Sequence, residues 1–593
     1  MDMKKYAVRE SVSQDVSERL KAFHPFVQDL LAVRGITDEA EARKFLKPDY
    51  NIHTHDPFLL KDMDKVVKRI FKAIEKKEKI AIYSDYDADG IPGAVVLHDF
   101  FKKIGYENFV NYIPLRNEEG FGLNKKAIDD LHGQDVILLV TIDCGIADVS
   151  HTAYANEKGI DVIITDHHIP GVKMPKAFAI INPKQKGDGY PEKMLCGSGV
   201  IFKVVQALLK YGQEQELFDV KTGMEKWMLD MVGLATLSDM VPLLGENRVF
   251  AYYGLTVLRK SPRVGLAKLF SLLKIDQRNV TEDDIAFMIT PRINAASRMG
   301  VPLDAFKLLS TTDEIEAGML AEHLNNKNDE RKGVVAGMVK EIKKRITERE
   351  HGNGDEAGEK MRHVLVAGNP EWKPSLLGLV ANSFSDEHNR PVFLWGRNGE
   401  MGDDEENTNL GTVLKGSCRA GGETNVVALM EHAKGVFLEY GGHKGAGGFS
   451  VAYENIHTLE DRLNEAYLEL QKETSEISDT LVDRKLSLDD VNWDTYKHVE
   501  QFAPFGYENP KPLFLFENIR VDAMKLFGKE KNHLELKFKN SGGKDVTAIA
   551  FFATPEKFPI SLDSGSYINL VATLEKSTFR NFPELRLRIV DIF

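Results

Sequence analysis

KIAIYSDYDADG, which runs to Asp85-Tyr86-Asp87-Ala88-Asp89-Gly90, sets a short apolar β run directly before three aspartates. Two further runs follow the same plan. VILLVTI at 136–142 precedes Asp143, and DVIIT at 161–165 precedes Asp166, His167 and His168. Helical stretches such as NKKAIDDL separate them. Apolar strands alternating with helical crossovers predict a mostly parallel sheet with helices on both faces, an α/β fold. Ligands of such sheets sit outside the carboxyl ends of the strands, where these acidic and imidazole groups fall.

Residues 76–312 are expected to form this sheet domain, with helices such as CGSGVIFKVVQALLKY and EKWMLDMVGLATLSDM over 196–260. Residues 1–75 read as mainly helical, with a loop at PDYNIHTHDPF, and are expected to pack on that domain. A connecting helix is predicted over 313–350, where Val335, Met338, Ile342 and Ile346 make one apolar stripe among charges. HGNGDEAGEK reads as a boundary loop. Residues 351–480 read as a smaller α/β unit: MRHVLVAG a strand, SLLGLVANSFS a helix, PVFLW a strand, GDDEENTN a solvated loop, then GGHKGAGGFSV and a helix over 456–472. In 481–593 the segments LFLFENIRV, HLELKFKN, VTAIAFF, SYINLVATLEK and LRLRIVDIF predict about five antiparallel strands, which fit an oligonucleotide-binding (OB) type of β-barrel.

With 593 residues, the chain is too long for one core. Cys144, Cys196 and Cys418 lie far apart and form no CxxC pair, which argues against a disulfide framework or cysteine zinc site and fits a reducing cytoplasm. No run of about 20 apolar residues exists to span a membrane, and MDMKKYAVRESVSQDV lacks the apolar stretch of a secretory signal. The net charge of -13 gives no support to binding nucleic acid through a broad basic surface; local basic patches stay open.

Asp85, Asp87 and Asp89 recur every second residue and repel one another in a low dielectric. A divalent cation compensates such crowding. Oxygen ligands suit Mn²⁺ or Mg²⁺, and imidazole moves the preference toward Mn²⁺. Two ions about 3.5–4 Å apart can hold the attacking and leaving oxygens of a phosphodiester. Asp143 is the best candidate to bridge them, because its strand should neighbour the first. Asp87 then serves one ion, and Asp89, His167 and Asp239 (of LSDMVP, at a predicted helix end) serve the other. His168 is left for the phosphate or leaving oxygen. The chemistry this implies is metal-dependent hydrolysis of a phosphate ester. Asp85 taken alone is as well explained as a helix cap. His53, His55, His132 and His151 show no partner pattern and read as ordinary histidines.

Three more groups read as phosphate-facing. The glycines of GGHKGAGG let backbone N–H groups approach an anion, with Gly442, His443, Lys444 and Gly445 in the loop. A tight turn before a strand is the alternative there. Lys415, Ser417 and Arg419 are the second group, with an exposed turn as the alternative, and Arg298 is the third.

These stretches resemble the DHH phosphoesterases, and within them the RecJ branch of bacterial single-strand-specific 5′→3′ exonucleases. The matching runs are DYDADG, IPLRNEEGFGLN, TIDCGI, TDHH, INPKQ, CGSGVIFKV, LATLSDMVPL, PRINAASRMG, LKGSCRA, GGHKGAGGF and FAPFGYENPKP, in family order over nearly the whole chain. The resemblance implies a catalytic domain with two Mn²⁺ or Mg²⁺ ions, a long helix, a second phosphate-binding domain of the DHHA1 type and an OB barrel. It implies Asp87, Asp89, Asp143, His167 and Asp239 as metal ligands, with Asp85, Asp143 and His168 catalytic. Arg298, Lys415, Ser417, Arg419, Gly442, His443 and Gly445 would grip the terminal phosphate and nearby backbone. Barrel cations such as Lys529, Lys531, Arg580 and Arg588 would extend the track.

The implied partner is single-stranded DNA with a 5′ end. A single-strand-binding protein and a helicase are implied as further partners, and a cytoplasmic monomer without membrane contact is expected. The chain departs from the family pattern at three places. Tyr83 stands where many DHH enzymes, pyrophosphatases included, have a His, and Ser297 and Ser375 replace glycines. The further carboxy-terminal domain of some relatives is not expected. Two alternatives are a phosphodiesterase of short oligonucleotides or cyclic dinucleotides and a non-catalytic scaffold. The terminal barrel argues against the first and the full ligand set against the second.

Overall fold

The computed structural model describes residues 6–351, 362–397, 413–422, 424–473, 480–577 and 583–593. The expected boundary loop 352–360, the acidic insert GDDEENTN and Arg580 lie outside these residues.

The first sheet has five strands, all parallel. Its order is Phe109–Tyr112, Lys79–Ser84, Val136–Ile142, Asp161–Thr165, Ala179–Ile181. Alternate side chains of its strands enter opposite cores. Ile80 and Ile82 pack with Val66, Ile70, Phe100 and Phe202. Ala81 and Tyr83 pack with Ile128, Leu131 and Ala155. Helices therefore cover both faces, as continuous apolar strands require. Each fully buried Ile or Phe contributes about 1.5–3 kcal/mol relative to exposure. The helices Gly197–Glu214, Leu229–Ser238, Gly245–Leu258 and Thr290–Arg298 complete this domain.

The long helix spans Glu314–His351. Ala321 and Leu324, near its start, enter the first core. Met338 and Ile342 enter another with Leu376, Leu377 and Val380 of the helix Pro374–His388, and Val335 and Ile346 flank it. The stripe is half of a core rather than a free connector. The second sheet runs Glu439–His443, Ala446–Ala452, Val413–Arg419, Val392–Gly396, Leu365–Gly368, antiparallel except for its last pair. GGHKGAGG is thus the turn of a hairpin, and LKGSCR is a central strand and not an exposed turn.

The last sheet has seven strands. Beyond those expected, Arg484–Lys485 and Ala523–Phe527 pair into it. It is not wholly antiparallel: Ala548 and Ile549 pair parallel to Leu587 and Arg588.

The expected packing of residues 1–75 needs a correction. Leu20, Phe26, Val27, Leu30, Leu31, Ala42 and Phe45 share one core with Phe502, Phe514 and Phe516 of the barrel unit. Tyr6–Val8 also pairs with Thr480–Val482. Only the later part, including Leu60, Met63, Val66 and Ile70, packs on the first domain. Amphipathic helices announce that they have a partner and do not say which one. Arg248 joins the two bodies: its guanidinium lies 3.8 Å from the Phe45 ring centre and donates to the carbonyls of Phe45 and Phe502.

Candidate metal centre and cleft

Asp85 and Asp143 follow neighbouring parallel strands, and Asp166–His168 follow the next one. Asp239 lies at the carboxyl end of the helix Leu229–Ser238. These segments converge. His167 Nε2 is 3.1 Å from Asp143 Oδ1 and 3.8 Å from both Asp89 Oδ2 and Asp239 Oδ2. The potential ligand atoms fall into three groups, each within 4.8 Å: Asp85, Asp87 and Asp143; Asp89, His167 and Asp239; Asp143, His167 and His168. Asp143 and His167 each belong to two of them, and of the pair only the carboxylate has two oxygens to offer two adjacent ions.

The local sequence builds this crowding. Asp87 Oδ1 accepts from the backbone N–H of Asp89 and Gly90, at 2.8 and 3.1 Å, starting the helix Gly90–Lys103. The Asp89 carboxylate accepts from Gly197 N and Ser198 N at 2.6 and 2.7 Å, at the amino end of another helix, where negative charge is favoured. A Cβ on Gly197 would stand 2.5 Å from Asp143 Cβ, so only glycine lets that helix come so near. Asp143 has φ 61°, a left-handed conformation that costs a non-glycine residue about 1–3 kcal/mol and recurs at functional sites.

Burial, reinforced by the neighbouring carboxylates, pushes Asp85 and Asp143 well above the usual carboxylate range. The same causes push Asp239 up to about 9 and Asp89 up to about 6. Burial and the nearby His168 lower His167 to about 3, which keeps its imidazole neutral, the form that binds metals. Asp85 Oδ1 and Asp143 Oδ1 are buried with no hydrogen-bond partner among the described residues. A divalent cation would remedy both the repulsion and the missing partners, so this donor set fits Mn²⁺ or Mg²⁺.

Asp166 has a task the sequence reading did not assign. Its Oδ1 accepts from the backbone N–H of His167 and His168, at 2.7 and 3.0 Å, and faces His168 Nδ1 at 2.8 Å. Its Oδ2 accepts from Ile146 N. Burial opposes both charges, yet this pairing keeps Asp166 below the usual carboxylate range and His168 above its own. Asp166 therefore orients His168. The signal in the sequence was an Asp directly before the two histidines.

A cleft of 490 Å³ opens beside the centre, between the first two domains. Tyr86, Arg116, Asn117 and Phe121 line one wall, and Ser375, Lys415, Tyr440 and Gly448 are among the residues of the other. Lys415, Ser417 and Arg419 share one face of their strand. Arg419 Nη1 donates to Ser417 Oγ at 3.1 Å. Arg298 is half-buried and donates to the Ser375 carbonyl. Burial and the neighbouring cations Arg116, Arg331 and Arg419 all disfavour its charge, so these guanidinium groups form a cluster that an anion would relieve. Gly442, His443 and Gly445 sit on the exposed hairpin; Gly441 and Gly448 of that hairpin line the cleft in their place. Arg116 and Arg331 were not singled out from the sequence. Of the other histidines, His53 Nδ1 accepts from Asp49 N, His55 packs edge-on against Tyr190 and His151 faces Asp148.

The DHH family N-terminal domain model matches residues 79–236, and the RecJ OB domain model matches 482–591. The single-stranded-DNA-specific exonuclease RecJ of Bacillus subtilis is 33% identical over 568 residues, covering 96% of this chain and 68% of the relative. The chain belongs to the RecJ family of the DHH phosphoesterases. A crystal structure of exonuclease RecJ bound to manganese is similar at 28% identity with a TM-score of 0.55, covering 71% of this chain and 96% of that one. The fold is shared over 99% of this chain and 79% of the other with Thermus thermophilus RecJ crystallised with Mn²⁺, at TM-score 0.77 and 23% identity.

Within this RecJ-family chain the departures take definite places. Tyr83 is a core residue whose hydroxyl donates to Gly122 O and whose ring stacks on Tyr112. Ser297 donates to Asn294 O, and the buried Ser375 Oγ has no partner among the described residues.

Proposed function

We propose that this protein digests single-stranded DNA from its 5′ end, hydrolysing one phosphodiester after another in DNA repair and recombination. Asp143 carries the reading: it is the carboxylate common to two ligand groups beside a cleft ringed by cations. Asp85, Asp87, Asp89, Asp143, His167 and Asp239 would hold Mn²⁺ or Mg²⁺, two ions on this reading. Bound there, the metal supplies positive charge to the phosphodiester and acidifies water.

The chain's own groups do the rest. Arg298, Lys415, Ser417 and Arg419, with Arg116, grip the 5′-terminal phosphate, and guanidinium forks fix its orientation. Gly441 and Gly448 bring backbone close to it. His168, whose protonated form Asp166 favours, donates a hydrogen bond to the phosphate or a proton to the leaving oxygen. The cleft has the volume of a small-ligand pocket, which suits one terminal nucleotide. The barrel continues the track and distinguishes this reading from a phosphodiesterase of short oligonucleotides. A single-strand-binding protein and a helicase are the partners that would present such a strand. The three cysteines, free and buried, support a reducing compartment, and among the described residues no helix is long and apolar enough to cross a membrane.

The test is digestion of a single strand labelled at one end or the other, with Mn²⁺, with Mg²⁺ and with chelator. Labelled mononucleotide is expected first from the 5′-labelled strand, and none in chelator. Early release of the 3′ label, or undiminished turnover in chelator, would sink the proposal.

A further inference from the structure

The helix that ends at Arg298 begins, at its other end, with an irregular π turn over Ile285–Ile289. Between them Asn294 Oδ1 accepts from Ala88 N at 2.9 Å, in the loop of Asp87 and Asp89. The helix therefore passes the metal centre, with the proposed phosphate grip at its carboxyl end. From Arg298 back to Phe287 is about 16 Å at the usual helical rise, a stretch of a few nucleotides.

Three large side chains stand out in solvent on segments that meet there. Phe287 is 72% exposed, Met240 69% and Tyr507 51%. Single exposed apolar residues are ordinary. These three are linked through their backbones and neighbours. Ser238 Oγ and Thr290 Oγ1 lie 2.5 Å apart, joining the turn that bears Met240 to the helix one turn beyond Phe287. Leu243 N donates to Tyr507 O at 2.9 Å, and Phe505 N to Glu282 Oε1 at 3.2 Å. Met240 directly follows Asp239 and has φ 57°, so the chain turns sharply at that point. On the far side, Lys511 pairs with Asp283, and Arg588 of the barrel lies within electrostatic reach of the same carboxylate. Arg588 in turn stands 4.0 Å from the Phe551 ring centre.

We propose that Phe287, Met240 and Tyr507 form a stacking platform for the bases that follow the scissile phosphate, leading the strand from the metal centre to the Arg588–Phe551 face of the barrel. This rests on the single-strand exonuclease reading and adds the path of the strand. Exposed rings and a thioether beside a charged centre suit sequence-independent binding, because every base offers a π face. It also gives the FGYEN loop, which the metal centre does not use, a place in binding.

The experiment uses the full chain and two substrates with 5′ phosphates: a long single strand, and the same strand with abasic sites at the second to fourth nucleotides. Wild type is expected to lose about tenfold in kcat/KM on the abasic strand, within the range of a lost stacking contact. Phe287→Ala is expected to lose about tenfold on the intact strand, to be indifferent to the abasic sites, and to match wild type on a 5′-phosphorylated dinucleotide whose second nucleotide is abasic, which offers the platform no base. Phe287→Trp should restore both turnover and abasic sensitivity. If wild type ignores the abasic sites, or Phe287→Ala loses equally on the dinucleotide, the platform is refuted. If wild type digests no single strand, the exonuclease reading itself has failed.

Discussion

On the proposed reading Asp143 concentrates the chemistry in one residue, and its backbone is left-handed. Asp143→Ala is expected to lower turnover by at least about a thousandfold while single-strand binding stays within a few fold, because the cleft cations are untouched. Turnover close to wild type, measured beside binding by fluorescence anisotropy, would refute the bridging role. Asp166→Asn should act through His168. Neutral Asn cannot hold that imidazole charged, and an orienting partner of this kind is worth about 10–100-fold; the expected sign is a fall in kcat with KM little changed. At Ser375 two effects have opposite signs. Its hydroxyl is buried without a partner among the described residues, so Ser375→Ala should stabilise the free protein by about 1 kcal/mol in urea denaturation. The same change should weaken preference for a 5′-phosphorylated over a 5′-hydroxyl strand, if the hydroxyl meets the phosphate. The acidic and imidazole groups that meet at the centre were legible in the sequence, because their types and their positions at the ends of strands and a helix mark them. Asp166, Arg116 and Arg331 were not, because their work depends on which way a side chain points and what surrounds it.

At the scale of elements, three strands of the first sheet could be read from long apolar runs. Phe109–Tyr112 and Ala179–Ile181, its two edges, could not: four and three residues are too short to stand out from a loop. The strand Val413–Arg419 was hidden because Gly416 and Ser417, residue types common in turns, stand at its middle and leave only Leu414 and Cys418 on the buried face. The apolar stripe of the long helix was legible, and its partner was not. With Met338 and Ile342 buried against Leu376, Leu377 and Val380, Ile342→Ala should cost about 2–5 kcal/mol. Urea denaturation followed in the second domain is the measurement. A change below about 0.5 kcal/mol would mean the helix behaves as a free spacer.

For the whole molecule, the amino-terminal helices and the barrel form one body around the ends of the chain, so cutting at residue 480 would strip Leu20, Phe26 and Phe45 of their core. Loss of strand binding in that truncation would not by itself isolate the barrel, which makes substitutions on the intact barrel the better probe. The metal centre couples to global stability through its protons. In the metal-free protein Asp239 sits at about 9, while an unfolded chain has lost that proton above about 4. The native state thus binds more protons than the unfolded state, and stability falls as pH rises toward 9. Below about pH 6.5 the neutral His167 contributes the opposite slope, so the clean window lies between about pH 7 and 9. A divalent cation replaces those protons, and its stabilisation should grow across the same window. Thermal midpoints in chelator are expected to fall from pH 7 to 9, with the gap to the Mn²⁺-loaded protein widening. A gap that stays constant would mean that the carboxylates are already ionised without metal, and that some other positive charge holds the acidic loop together.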